Sequence, residues 1–406
     1  MLTRLILMFI TAGSVCLAAP WNQFRGPNGE GKSEANAPSA FGEDKNVKWK
    51  TPMPGKAWSS PVVWGDQVWF TNAEKDGKKL WAVCLDLETG RVVHNALVFE
   101  IEKPQFCIEK NSYASPTPVI EAGRVYVTFG SHGTACLDTK TARTLWHRQD
   151  LACDHFRGAA SSPILHGDLF ILLFDGADQQ YVVALDKKDG KTKWLHRRAF
   201  DFRTDNGDAK KGYGTPSIIT HQGRAQLICP AAVATEALDP ATGELLWTVR
   251  TGGMNASALP LYGHGLVFVS NGMGRLSAIR PEGTGDISVK GIVWDANKNI
   301  PRKPSYILLG DLLFMMDDSG IASCMDAKTG AVVWNERIGG AYSASPILAK
   351  DRIYWFSEEG DVPVIAAARE FKLVAKNKLP DGFMATPAVA GDALILRTKS
   401  AVYRVQ

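Results

Sequence analysis

One short pattern recurs through this chain at a nearly constant interval. An Asp opens a tight turn, a Gly closes it, and a Trp follows four residues after the Gly, as in Asp186 to Trp194, Asp239 to Trp247 and Asp326 to Trp334. Gly supplies the positive φ that so tight a reversal needs, and the Asp side chain hydrogen-bonds the turn backbone. The flanking apolar runs, such as Gly320 to Cys324 and Ala331 to Trp334, are too short for helices and suit paired strands. Asp86 to Gly90 ends in His94 instead of Trp, and Asp138 to Trp146 carries Ala142 in place of Gly. Trp294 follows a longer insertion, and the seventh copy has no aromatic at this position.

Each copy opens on small residues and a Pro. The openings are Ser59-Ser60-Pro61, Ala114-Ser115-Pro116, Ser161-Ser162-Pro163, Gly214-Thr215-Pro216, Ala258-Leu259-Pro260, Lys303-Pro304, Ala344-Ser345-Pro346 and Ala385-Thr386-Pro387. Pro61 to Pro387 is 326 residues over seven steps, about 47 per repeat, which is the length of a four-stranded propeller blade. The last repeat stops after three strands. Asn46 to Thr51 carries a Trp, precedes the first full repeat, and supplies the missing outer strand, removing both free sheet edges. The expected fold is all-β: one eight-bladed β-propeller of four-stranded antiparallel blades over residues 46–406, closed by an N-terminal strand joining the last blade. The Trp residues are expected to pack between neighbouring blades.

Residues 1–18 read as a signal peptide, with Arg4 before an apolar run and Ala18-Ala19 for cleavage. Val15 precedes Cys16 where a lipid-anchor motif wants a smaller residue, so plain cleavage is the reading, and the protein is expected to be periplasmic or secreted. No later stretch is long enough to span a membrane as a helix. With a formal charge of +4 over 406 residues and no long basic run, nucleic-acid binding has no electrostatic support. Cys84, Cys136 and Cys324 occupy small strand positions, whereas Cys107 and Cys153 lie in connecting loops, where an oxidising compartment would allow a disulfide. Residues 19–45 read as an extended segment. Within it, Gly26 to Ser33 matches the letters of a phosphate-binding loop, but neither flank offers the strand and helix that such a loop requires.

The form Ala237-Leu238-Asp239-Pro240-Ala241-Thr242-Gly243-Glu244-Leu245-Leu246-Trp247 resembles the PQQ-like (quinoprotein) propeller repeat, and the opening Trp21 to Gly29 is similar to the start of exported bacterial proteins of that kind. The resemblance covers nearly the whole mature chain. It implies either a BamB-like scaffold of the cell envelope or a dehydrogenase using pyrroloquinoline quinone (PQQ) with calcium. The dehydrogenases close their cofactor with two adjacent Cys, and this sequence has no such pair and no C-x-x-C-H haem site. Asp201, Asp205 and Asp208 read as a solvated loop, and Cys153-Asp154-His155 lacks zinc-site spacing. His147 and His196 read as exposed outer-strand residues.

The expected function is therefore that of an exported, non-catalytic scaffold without a cofactor, binding an envelope or secreted protein, or a small ligand, on its loop-rich face. The alternative is a PQQ- or quinone-dependent oxidoreductase. The longer loops, Asn72 to Leu80, Phe99 to Tyr113, Asp175 to Tyr181 and Ala199 to Tyr213, fall in the first four blades or their junctions. At the channel mouth the candidate binding residues are Trp58, Tyr113, Arg157, Tyr213, Asn255, Tyr342 and Met384.

Overall fold

The computed structural model describes residues 20–406, so the signal peptide and Cys16 lie outside the described residues. Eight antiparallel sheets succeed one another along the chain and form the eight blades of a propeller. Blade 1 comprises Val62–Trp64, Gln67–Ala73, Lys79–Asp86 and Val92–Glu100, from the axis outward. Blades 2 to 7 repeat this plan over residues 119–148, 164–197, 217–249, 261–296, 307–337 and 347–378. Most inner strands hold three residues, because eight of them converge on one axis. Second and third strands, such as Leu169–Asp175, are buried almost throughout, since a blade lies against each face. Outer strands such as Val92–Glu100 are largely exposed.

Blade 8 takes its outer strand from the other end of the chain. Val47–Pro52 pairs antiparallel with Ala401–Val405, Val47 opposite Val405 and Pro52 opposite Ala401. A second clasp lies nearer the axis. Arg397 of blade 8 is buried and donates to the carbonyls of Ser59 and Thr71 in blade 1, its guanidinium 4.5 Å from the centre of the Phe70 ring.

The recurrent turn joins blade to blade. Trp49, Trp146, Trp194 and Trp294 each donate Nε1–H to the carbonyl just after the turn Asp of the next blade: Leu87, Lys187, Pro240 and Ala327. Each indole also lies on the Gly that closes that turn. The Gly thus meets two demands, a positive φ and room for a ring. Blade 1 has His94, stacked on its own Trp69, and the turn of blade 2 has Ala142 at φ 56°. Trp247 departs from the pattern by donating to Gln226 of its own blade. The next blade offers an insertion at that end, whose Gly285–Asp286 pairs in parallel with Trp247 and Thr248.

The Ser or Thr at each repeat opening forms a ring around the channel. The amide of Ser60 donates to Thr117 Oγ1, Thr117 to Ser162 Oγ, and Ser162 to Thr215 Oγ1. Leu259 interrupts the hydroxyls but donates to Ser305 Oγ, and the chain continues through Ser345 and Thr386 back to Ser60. This ring corrects the repeat register at two openings: Thr117-Pro118, not Ser115-Pro116, is the counterpart of Ser60-Pro61, and Ser305, not Pro304, marks blade 6.

The Trp–Gly contact yields a paired prediction. A methyl at Gly243 would lie 2.5 Å from the Trp194 ring at φ 75°, so Gly243→Ala should lower stability by about 2–3 kcal/mol in urea unfolding. Ala142→Gly, at the one such turn without a Trp partner, should stay within about 1 kcal/mol of the parent.

Candidate functional site

The channel is closed from one side by the chain's own N-terminal segment. The carbonyl of Trp21 accepts from the Val63 amide of blade 1, and that of Asn22 from the Ile120 amide of blade 2. After a turn at Pro27–Gly29, Lys32–Ser33 pairs in parallel with the inner strand of blade 7, opposite Leu348 and Ala349. The segment then leaves the axis along blade 7, where Tyr354 donates to Ala37 O and Phe41 N–H donates to Asn377 Oδ1, and reaches the rim at Val47. The stretch with phosphate-loop lettering is thus a channel plug, and a strand, not a helix, begins at its Lys.

Arg25 is the hub of the plug. Its fully buried guanidinium donates to the carbonyls of Gly29 and Glu30 in the plug and of Tyr306 and Pro346 in blades 6 and 7. Burial without a carboxylate partner pushes its pKa down to about 9. Gly31 leaves room for it, since a Cβ there would lie 2.6 Å from Arg25 Nη2. Arg25→Ala strands four carbonyls and should cost about 3 kcal/mol in urea unfolding, far more than an exposed Arg such as Arg203 would cost.

Above the plug, with Phe24 at its floor, a cavity of about 490 Å³ opens among side chains from all eight blades. Of the expected residues, Trp58, Arg157, Tyr213, Asn255 and Met384 line it. Tyr113 and Tyr342 do not. Tyr113 lies over Gly77 and donates to Gln105 O, while Tyr342 is 1% exposed in the core between blades 6 and 7. Ser115 and Ser343, close by in sequence, face the cavity instead.

Apart from Arg157, charge at the mouth is the part that sequence reasoning missed. Arg157 meets Asp208 at 2.6 Å. Lys110 and Lys303 share Glu358 at 3.1 and 3.3 Å, Ser343 Oγ also donates to Glu358, and Lys303 lies 3.8 Å from Asp318. Lys110 belongs to the blade 1–2 connection and Glu358 to blade 7, so this connection crosses the mouth. The hydroxyl ring had a readable signal, a Ser or Thr before Pro at most repeat openings. The ion pairs had none, because their partners sit on different blades or connections and meet only when the ring is formed. The loops expected to be long at Asn72 to Leu80 and Asp175 to Tyr181 shorten to residues 74–78 and 176–179 between paired strands, leaving the blade 1–2 and 3–4 connections as the elaborated ones.

Beside the cavity lies a buried polar cluster. Arg198 binds Asp175 at 2.7 Å and Glu236 at 2.9 Å, and His196 reaches Glu236 at 3.2 Å, so His196 is not the free outer-strand residue expected from sequence. Lys211 Nζ is buried without a hydrogen-bond partner, 4.7 Å from the centre of the Tyr213 ring, and burial lowers its pKa to about 8. Cys107 and Cys153 carry free thiols and pack on different neighbours, Cys107 against Gly158 and Cys153 against Gly176. Asp201 pairs with Arg203 and Asp208 with Arg157, and among the described residues no group of three His, Cys, Asp or Glu forms a metal-binding cluster. His147 packs edge-on against Phe99.

His155 accepts the Ser131 amide at Nε2 and is therefore neutral there. Burial, with the Lys211 and His132 charges, holds its pKa near 3 against an ordinary 6.5. The unfolded chain binds this proton first, so stability is complete above about pH 6.5 and declines as pH falls toward 3. Between pH 7 and 5 the loss through this residue should be about 2 kcal/mol. Urea midpoints at both values check it: His155→Gln should flatten the slope, and an unchanged slope would exclude the assignment.

A family model described as outer membrane protein assembly factor BamB matches residues 82–236 and 231–406. The outer membrane protein assembly factor BamB of Moranella endobia is 23% identical over 344 residues, 79% of this chain and 76% of that protein. A quinoprotein ethanol dehydrogenase of Pseudomonas aeruginosa is 29% identical over 210 residues, 48% of this chain but only 29% of the enzyme. Among solved structures, BamB from Moraxella catarrhalis superposes with a TM-score of 0.61 at 12% identity, covering 89% of this chain and 99% of that one, a likeness of fold alone. No helix among the described residues is long and apolar enough to cross a membrane.

Proposed function

This chain belongs to the PQQ-like β-propeller family, and on that premise we propose that it is an exported, non-catalytic scaffold of the cell envelope that binds a partner on its loop-rich face. The observation that carries this reading is the blind cavity. Its floor is the chain's own plug, and Lys110, Lys303 and Arg157 at its mouth are turned toward protein carboxylates instead of being held for chemistry. Phe106, on the connection that crosses the mouth, is 70% exposed and supplies an apolar anchor of the kind that partner surfaces use. Relatives named as outer-membrane assembly factors support the same class of role.

The quinone reading fits the residues less well. Calcium beside a quinone would need converging oxygen ligands, and the carboxylates near the cavity, Asp208, Asp318 and Glu358, each face a Lys or Arg.

A photo-crosslinking amino acid at Phe106 should capture one defined envelope protein in cells. The same group at Val289, 95% exposed on the blade 5 insertion, should not. Equal capture at both sites, or alcohol-dependent reduction of an electron acceptor by protein supplied with PQQ and calcium, would defeat the reading.

A further inference from the structure

The hydroxyl ring leaves hydrogens unassigned. Ser60, Thr117, Ser162, Thr215, Ser345 and Thr386 all line the cavity. All six of these hydroxyls accept an amide of the preceding blade, Ser345 that of Ser305 and Ser60 that of Thr386 among them. A hydroxyl whose lone pair is taken in this way still has an O–H to donate. None of the six donates to a protein acceptor, so the wall presents donors with nothing opposite them.

The rim has the matching charge. Lys110 and Lys303 share one carboxylate, Glu358, and Arg302 lines the cavity without a carboxylate partner of its own. Glu358 is in effect an internal anion held between two ammonium groups, with Ser343 Oγ donating to it at 2.6 Å. Asp318 also lines this wall, but its Oδ1 already accepts the backbone amides of Arg302 and Lys303. Phe24 at the floor and Trp58, Met273 and Met384 on the wall supply apolar surface beside these groups.

We propose that the cavity binds ligands through an anionic, oxygen-rich group, a carboxylate or a phosphate, which replaces Glu358 between Lys110 and Lys303 while ring hydroxyls donate to its remaining oxygens. The inference rests on this face being the binding face, and it concerns the axis of the channel, whereas partner docking was placed at Phe106 on the loops. The two therefore fail separately: crosslinking at Phe106 reports on the partner, and calorimetry with small anions reports on the cavity.

Calorimetric titration of the full chain with glutarate, inorganic phosphate and the neutral isostere glutaramide is the test. Glutarate or phosphate should bind and glutaramide should not, and which of the two binds more tightly identifies the source of the anion. Lys303→Gln should weaken binding about tenfold, since one charge-assisted contact is lost. Glu358→Gln should tighten it, because the competing carboxylate is gone. A merely structural Glu358 would give the opposite sign. Binding of neither anion, equal binding of glutaramide, or weaker binding by Glu358→Gln overturns the proposal.

Discussion

The architecture depends on one hydrogen bond repeated around an axis, from an amide of each blade to the hydroxyl of the next. Inner strands that converge on a channel bury N–H groups that no further strand can reach, and an unpaired buried amide costs about 1–3 kcal/mol. A Ser or Thr at the same place in each repeat solves the problem for its neighbour, and the Pro that usually follows has no N–H to satisfy. The solution is collective: each hydroxyl serves the preceding blade, so no blade is complete alone. Its one gap confirms the logic. Leu259 offers no hydroxyl to Thr215, and its side chain lies where a Cβ on Gly29 of the plug would be 2.8 Å away. The plug packs against Leu259 there, and Arg25 covers the carbonyls of Tyr306 and Pro346 in blades 6 and 7.

A ring held by nearest-neighbour contacts still has to close, and it closes at three radii. At the axis, Thr386 donates to Ser60. At mid-blade, Arg397 reaches the carbonyls of Ser59 and Thr71, with Phe70 beneath it, and burial pushes its pKa down to about 9. At the rim, Val47–Pro52 completes blade 8, and Trp49 docks on the turn of blade 1. The N-terminal segment connects these radii in one path, from the plug on the axis to the outer strand at the rim. All of these contacts join residues more than 300 positions apart or span the gap between first and last blade, so closure is the entropically expensive step and comes after the local hairpins.

Periodic constraints were legible in the sequence, and aperiodic ones were not. Eight blades, the shared outer strand and the inter-blade role of the Trp residues follow from a turn chemistry that repeats with the period of the fold. Pro is a misleading marker at the Ser115 and Lys303 openings, because the structural requirement is a hydroxyl facing the amide of the preceding blade. The plug was invisible for a related reason: Gly26, Gly29 and Gly31 adopt positive φ to pass a crowded axis, and glycines spaced for that purpose also spell a phosphate loop. Choosing aromatic residues as the channel lining found Trp58 and Tyr213 but misplaced Tyr113 and Tyr342, since convergence at the axis favours Ser and Thr. Lys110, Lys303 and Glu358 carried no local signal, because their meeting depends on the curvature of the whole ring.

This separation explains why family likeness speaks to fold more than to ligand. At the turn end, backbone carbonyls receive indole N–H groups and Gly positions are filled by rings, so substitution there disturbs a blade contact. At the axis, the ring takes one amide from seven of the blades, and plug carbonyls take the Val63, Ile120 and Leu348 amides. A ligand entering the cavity therefore meets side chains: hydroxyl hydrogens set by the fold, and charged groups set by loops. The hydroxyls recur because the ring needs them, and the charges are free to differ because nothing in the blades does. Specificity in such a molecule resides in the connections over the mouth, above all the one that carries Phe106 and Lys110 across it.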